Sequence, residues 1–163
     1  MPGSFYSQKS VFLEKIYKME ILQTAHSYLA YVVLAFLFLA VANAITGLMS
    51  NRMFTLEKDF RISLFTLILS HIQLVLGLIL FFVSSNGFSA IKTLGMGGLN
   101  SAARLLAVEH PFINIVAIVL ITIGWSRHKR FMEAKRKFKA IGIFYGLGLV
   151  LILSRIPWNQ WFN

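Results

Sequence analysis

The chain contains no cysteine. Disulfides, thiolate metal sites and thioether-attached c-type haem are therefore excluded. Charge is scarce too: 13% of residues are Asp, Glu, Lys or Arg, about half the ~25% of a soluble domain. Residues 21–49, 62–84 and 140–154 carry no charged side chain, and 105–126 carry Glu109 alone. What fills the gap is apolar, 57% of the chain, with mean hydropathy +0.70. A helix crosses a bilayer with about 17–25 apolar residues. Three of the four runs reach that length. The fourth nearly does, since its apolar character continues to about Trp161. Four fully buried soluble helices would leave too little surface for water.

The sequence thus predicts an all-α integral membrane protein of one domain, 1–163, a four-transmembrane-helix bundle. Spans are expected at about 21–49, 62–84, 102–126 and 139–156. The first run ends with Ala42-Asn43-Ala44, which resembles a signal-peptidase site. Its 29 uncharged residues exceed the usual core of a signal, so a retained span is expected.

The net charge of +10 is concentrated. Residues 127–139 hold seven Lys or Arg against Glu133 alone. In a soluble protein such a run suggests nucleic acid. Between two spans it reads as a cytoplasmic loop under the positive-inside rule, and no nucleic-acid partner is expected. Phe131, Met132 and Phe138 interleave the charges, which suits a loop lying on anionic headgroups. With that loop inside a bacterial cytoplasmic (inner) membrane, both termini are expected outside.

The flanking segments follow from this topology. Residues 5–20 alternate Phe12, Leu13, Ile16 and Tyr17 with Lys9, Glu14, Lys15 and Lys18, the pattern of a short interfacial helix. Residues 85–101 read as a flexible connection able to fold over the bundle. Their Gly95, Gly97 and Gly98 are not followed by the Gly-Lys-Ser/Thr of a phosphate loop. Ile156-Pro157-Trp158 should end the last span, with Trp158, Trp161 and Phe162 as an interfacial anchor.

Two spans carry matched stripes. His26, Ala30, Val33, Leu37, Ala40, Ala44 and Gly47 step by three or four residues, as do Ala103, Ala107, His110, Asn114, Ala117, Ile121 and Gly124. Each stripe has one histidine near its outer start, roughly 8–9 Å below the boundary at 1.5 Å per residue. Pro111 should bend the third span near Ala107–Pro111, freeing the Ala107 carbonyl and tilting His110 inward. In the second span Ser63, Thr66, Ser70, Gln73, Gly77 and Ser84 form a small, polar stripe suited to close packing. His71 points more than 100° away from it and lies about 20 Å deep. Gly142 and Gly146 suggest a close contact in the fourth span. His128 lies in the basic run and needs no special role.

Histidines within a membrane are costly and usually functional. Zinc wants four ligands, and the only nearby acid, Glu109, points about 100° from His110. A proton relay normally has Asp or Glu partners, and an inter-helix hydrogen bond is the structural alternative. Two imidazoles at one depth across a bundle suit the axial positions of a non-covalent haem b. Ala30, Ala107 and Asn114 would leave room for a flat macrocycle, and Arg104 would meet a propionate. His26 and His110 are the expected iron ligands. His71 and Gln73 are further candidates, His71 as a quinone, proton or inter-helix contact.

Helices 1 to 3 resemble one half of haem A synthase, through His26 with Ala30, Gln73 with Gly77, and His110. The whole of 20–160 resembles the small four-span bacterial "cytochrome b" proteins. The similar stretches are Ser63-Leu64-Phe65-Thr66-Leu67-Ile68-Leu69-Ser70-His71-Ile72-Gln73, Val108-Glu109-His110-Pro111, Ile121-Thr122-Ile123-Gly124 and Ile156-Pro157-Trp158. The resemblance implies haem binding and no particular reaction. Haem A synthase pairs two such halves where this chain has one, and Gln23 and Ser27 flank His26 in place of its acidic and basic neighbours. Three functions are thus expected in order: a b-type cytochrome exchanging electrons with a quinol or a partner complex, an accessory subunit of a larger membrane complex, and a haem-modifying enzyme.

Overall fold

The computed structural model describes residues 3–160, with side chains from Leu13 onward except Lys15. The helices are α1 Gly3–Met49, α2 Arg61–Val83, α3 Phe88–Gly98, α4 Ser101–Arg104, α5 His110–His128 and α6 Ala134–Ser154. Single π turns, Leu56–Phe60 and Leu105–Glu109, lead into α2 and α5. A 3-10 turn, Trp158–Gln160, follows α6. Four stretches are long and apolar enough to cross a membrane: Ile16–Met49, Leu56–Val83, Ser101–His128 and Ala134–Ser154. The protein is a four-helix membrane bundle.

Each of α1 and α5 packs against both α2 and α6, so α1 and α5 stand diagonally opposite. Both predicted stripes face the bundle. Leu37, Ala40 and Ala44 pack with Ala117, Ile121, Phe138, Ile141 and Tyr145 in one core, all buried. Small residues let the helices approach. A Cβ on Gly124 would stand 2.7 Å from Phe144 Cβ, and one on Gly148 would stand 2.9 Å from Ile121 Cγ1. The predicted Gly142 and Gly146 also face α1, at ordinary contact with Ala44 and Val41. The hydroxyl stripe of α2 is buried at Ser63, Thr66 and Ser70. Tyr145 Oη donates to the Ser63 carbonyl at 2.9 Å, tying α6 to α2.

Several expectations are corrected. Residues 5–20 are not a separate helix; α1 runs through them, because nothing from Ser4 to Thr46 is Gly or Pro. Residues 85–101 are largely helical: α3 packs on α2 through Phe88, whose ring meets Phe81 and Phe82, and it kinks at Gly95 with φ 68°. The basic run 127–139 is mostly helix ends, since α5 extends to His128 and α6 begins at Ala134. Phe138 faces inward and is fully buried, and Met132 alone of its three apolar residues is wholly outward. His128 is 2% exposed, packed against Phe54, Phe60 and Trp125, with Nδ1 2.6 Å from the Trp125 carbonyl. Trp158 is exposed, while Trp161 and Phe162 lie outside the described residues.

At this basic end an ionic clasp joins α1 to α2. Asp59 is fully buried. It accepts from Arg52 at 2.7 and 2.8 Å, from Asn43 Nδ2 at 2.7 Å, and from the Thr55 backbone and hydroxyl at 2.7 and 3.0 Å. Hydrogen bonding to Asp59 raises the Arg52 pKa further above its already high value. Arg52 also lies over the Phe138 ring, 4.7 Å from its centroid.

Candidate functional site

The opposite end of the bundle is hollow. A cavity of about 210 Å³ is lined by one face of each spanning helix, including Ala30, Val33, Ser70, Leu74, Asn114 and Ile152. His26 enters it from α1 and His110 from the start of α5. The ring centroids are 6.3 Å apart, with the planes at 77°. Among the described residues no hydrogen bond joins the two rings.

His110 owes its position to the π turn before it. The His110 backbone N–H reaches back to the Leu105 carbonyl, and Pro111, which has no N–H to give to the preceding turn, follows directly in α5. The expected bend near Ala107–Pro111 therefore takes the form of an extra residue in the helical turn, a device common at functional sites. His110 keeps helical dihedrals, φ −61° and ψ −51°. Its Nδ1–H donates to the Arg155 carbonyl at 2.8 Å. A carbonyl only accepts, so that bond fixes the proton on Nδ1 and leaves the Nε2 lone pair free, the arrangement of metal-binding histidines. Asn114 Nδ2 donates to the His110 carbonyl at 2.7 Å.

His26 is held from α2. Gln73 Nε2 donates to the His26 carbonyl at 2.9 Å and lies 3.3 Å from His26 Nε2. Gly77 makes room for the ring, since a Cβ there would come 3.0 Å from His26 Cε1. Among the described residues, His26 Nδ1, Gln73 Oε1 and Ser70 Oγ are buried and have no hydrogen-bond partner. Each such atom costs about 1–3 kcal/mol, and all three belong to residues lining this one cavity.

The remaining predicted residues separate. Ala30 and Asn114 line the cavity with the histidines and Gln73. Ala107 is buried in the π turn, and Leu106 lines the cavity from that turn. Arg104 pairs with Glu109 at 3.1 Å outside the cavity. Glu109 also holds Arg155 at 3.2 Å. Sequence reasoning missed Arg155, which grips the His110 segment twice, by its carbonyl and by its guanidinium. The available signal was its place at the end of the fourth span, level with the two histidines. His71 is exposed on the far side of α2, with Nδ1 2.8 Å from the Leu67 carbonyl and Nε2 3.3 Å from Thr122 Oγ1 of α5. It is an inter-helix contact, away from the cavity.

Metal chemistry of the acidic kind finds no support, because among the described residues no three His, Cys, Asp or Glu side chains cluster. A two-histidine arrangement is a different matter. A first-row metal binds an imidazole nitrogen at about 2 Å, and that nitrogen lies about 1 Å from its ring centre. The His26 and His110 ring centroids stand 6.3 Å apart, so a group between them would be held by one nitrogen from each ring once His26 Nε2 turned from the Gln73 amide. The cavity is smaller than the ~300–1,000 Å³ of ordinary ligand pockets. A whole macrocycle would need more space than this, so side chains lining the cavity would have to move to admit one. Comparison with family models, with curated proteins and with solved structures finds no match.

Proposed function

We propose that this protein is a b-type cytochrome of the bacterial cytoplasmic membrane, with one non-covalent haem b between His26 and His110. The observation that carries the reading is the pair of imidazoles. They come from diagonally opposite helices, 6.3 Å apart, into a cavity with three unpartnered buried polar atoms. The free Nε2 of His110 and the small residues Ala30 and Gly77 are consistent with it. His26 would ligate only if its Nε2 gave up the Gln73 amide, which keeps its bond to the His26 carbonyl.

Haem held there by His26 and His110 would supply a one-electron couple, the chemistry of electron transfer. The chain supplies the rest. Arg155 and Asn114 set the His110 ring, Gln73 and Gly77 set His26, and four apolar helices exclude water. The basic end, rich in Lys and Arg, faces the cytoplasm by the positive-inside rule, which puts the histidine end and both termini outside. A lipid-soluble quinol or a partner complex is the redox partner in this reading. A second reading, accessory subunit of a larger membrane complex, draws on α1. Leu13, Tyr17 and Ile21 of its amino-terminal part are exposed, a surface that a partner would cover.

The absorption spectrum tests the first reading. Protein purified from haem-supplemented cells should be red, with a sharp Soret band that shifts on reduction. His26→Ala and His110→Ala should each lose that six-coordinate spectrum while helix content is retained. A colourless wild-type protein, or histidine variants with the wild-type spectrum, would overturn the reading.

A further inference from the structure

The seam between α2 and α5 carries a polar group on the lipid-facing surface that nothing in the bundle fully satisfies. His71 is exposed there, among Ile68 and Val75 of α2 and Ile115 and Val119 of α5, which are also exposed. It stands near the middle of the stretch Leu56–Val83, where water is absent and an unsatisfied polar group is costly.

For the neutral ring, the hydrogen bonds select one tautomer. Nδ1 lies 2.8 Å from the Leu67 carbonyl, which only accepts, so Nδ1 carries the proton and Nε2 the lone pair. Among the described residues the donor near Nε2 is the Thr122 hydroxyl, at 3.3 Å. That hydroxyl has a single proton and gives it to the Ile118 carbonyl at the shorter distance of 2.8 Å. Nε2 is left as an acceptor facing hydrocarbon.

We infer that His71, with Thr122 beside it, is a docking point for a lipid-soluble quinol whose hydroxyl donates to His71 Nε2. The occupant must dissolve in the bilayer, carry an O–H donor and lie flat on branched aliphatic side chains. A quinol ring does all three, whereas a quinone or a lipid tail brings no donor. This rests on the electron-transfer reading for its purpose but on separate residues for its chemistry, since neither His71 nor Thr122 lines the histidine cavity. Thr122 lies twelve residues beyond His110, about 18 Å along α5, so the two sites are distinct.

The test is equilibrium binding of a radiolabelled decyl-benzoquinol to the protein in nanodiscs, with empty nanodiscs as background. Saturable binding is expected, weakened about five- to tenfold by His71→Phe, the share of one hydrogen bond. Thr122→Val, which removes the neighbouring hydroxyl but leaves Nε2, should bind about as tightly as wild type. The dimethyl ether of the same quinol, which has no donor, should bind more weakly and show no dependence on His71. Circular dichroism checks that the variants are folded. Binding that does not saturate, or that is equal in wild type and a folded His71→Phe, overturns the proposal. So does an ether that binds as tightly as the quinol. A red protein without quinol binding would sink this inference alone. A colourless protein with His71-dependent binding would sink only the haem reading.

Discussion

At the scale of single residues, the histidine end depends on what is small as much as on what ligates. Gly77 holds space for His26, and a methyl group there must push the ring by a few tenths of an ångström. Gly77→Ala is expected to lower haem occupancy of the purified protein, and Gly77→Leu to abolish it, with far-ultraviolet circular dichroism unchanged. The haem-to-protein absorbance ratio checks this. At the other end Gly47 faces the Phe138 ring, whose atoms would stand 2.5–2.7 Å from an added Cβ. Phe138 is fully buried and cannot swing away. Gly47→Ala should therefore destabilise the bundle by about 1–3 kcal/mol, as overpacking does, read as a lower unfolding midpoint in detergent. The spectrum of the folded fraction should not change.

At the scale of elements, the structure uses two π turns for two purposes. The first, Leu56–Phe60, turns Asp59 into the clasp with Arg52, Asn43 and Thr55. Asp59 is buried but Arg52 is 30% exposed, so removing one partner should cost less than the about 3–5 kcal/mol of a fully buried pair. Arg52→Ala and Asp59→Ala should each lower stability in thermal denaturation, and the double variant should be less harmful than the two losses summed. The second, Leu105–Glu109, delivers His110. Pro111→Ala restores a backbone donor and lets an ordinary helix run through. It should keep the helix content and weaken haem retention, measured as faster transfer of haem to apomyoglobin. The stripes behind these elements were legible in the sequence because a period of three to four residues on an uncharged background has only one reading. The clasp was not. Arg52 and Asp59 flank a polar loop and look solvated until α1 and α2 come together. Phe138 and His128 looked like surface for the same reason: each sits among lysines and arginines in sequence, and only helical direction turns it inward. Arg155 was missed because its useful atom is a carbonyl, which every residue has.

At the scale of the whole molecule, the four spans put residues 129–133 at one end and α3 at the other. The proposed orientation rests on charge asymmetry: Arg127, Lys129, Arg130, Lys135, Arg136, Lys137 and Lys139 all lie at the first of these ends. The absence of native cysteine makes the orientation easy to test. In Met132→Cys, 95% exposed in the wild type, the new thiol should react with a membrane-impermeant maleimide only in inverted vesicles. Lys92→Cys, on exposed α3, should react only in intact spheroplasts. The opposite pattern would turn the histidine end to the cytoplasm. The number of spans and the pairing of their faces were readable from composition and period. The diagonal placement of α1 and α5 was not, because it depends on how all four helices surround one core.

The length of α1 has a mechanical consequence. Its 47 residues amount to about 70 Å of helix, more than twice the thickness of a hydrocarbon core. No glycine or proline interrupts it from Ser4 to Thr46, so it has no hinge. The part that projects beyond the bundle and the part that carries His26 are one stiff rod. A partner that grasped the amino-terminal arm would hold the same uninterrupted helix that carries His26.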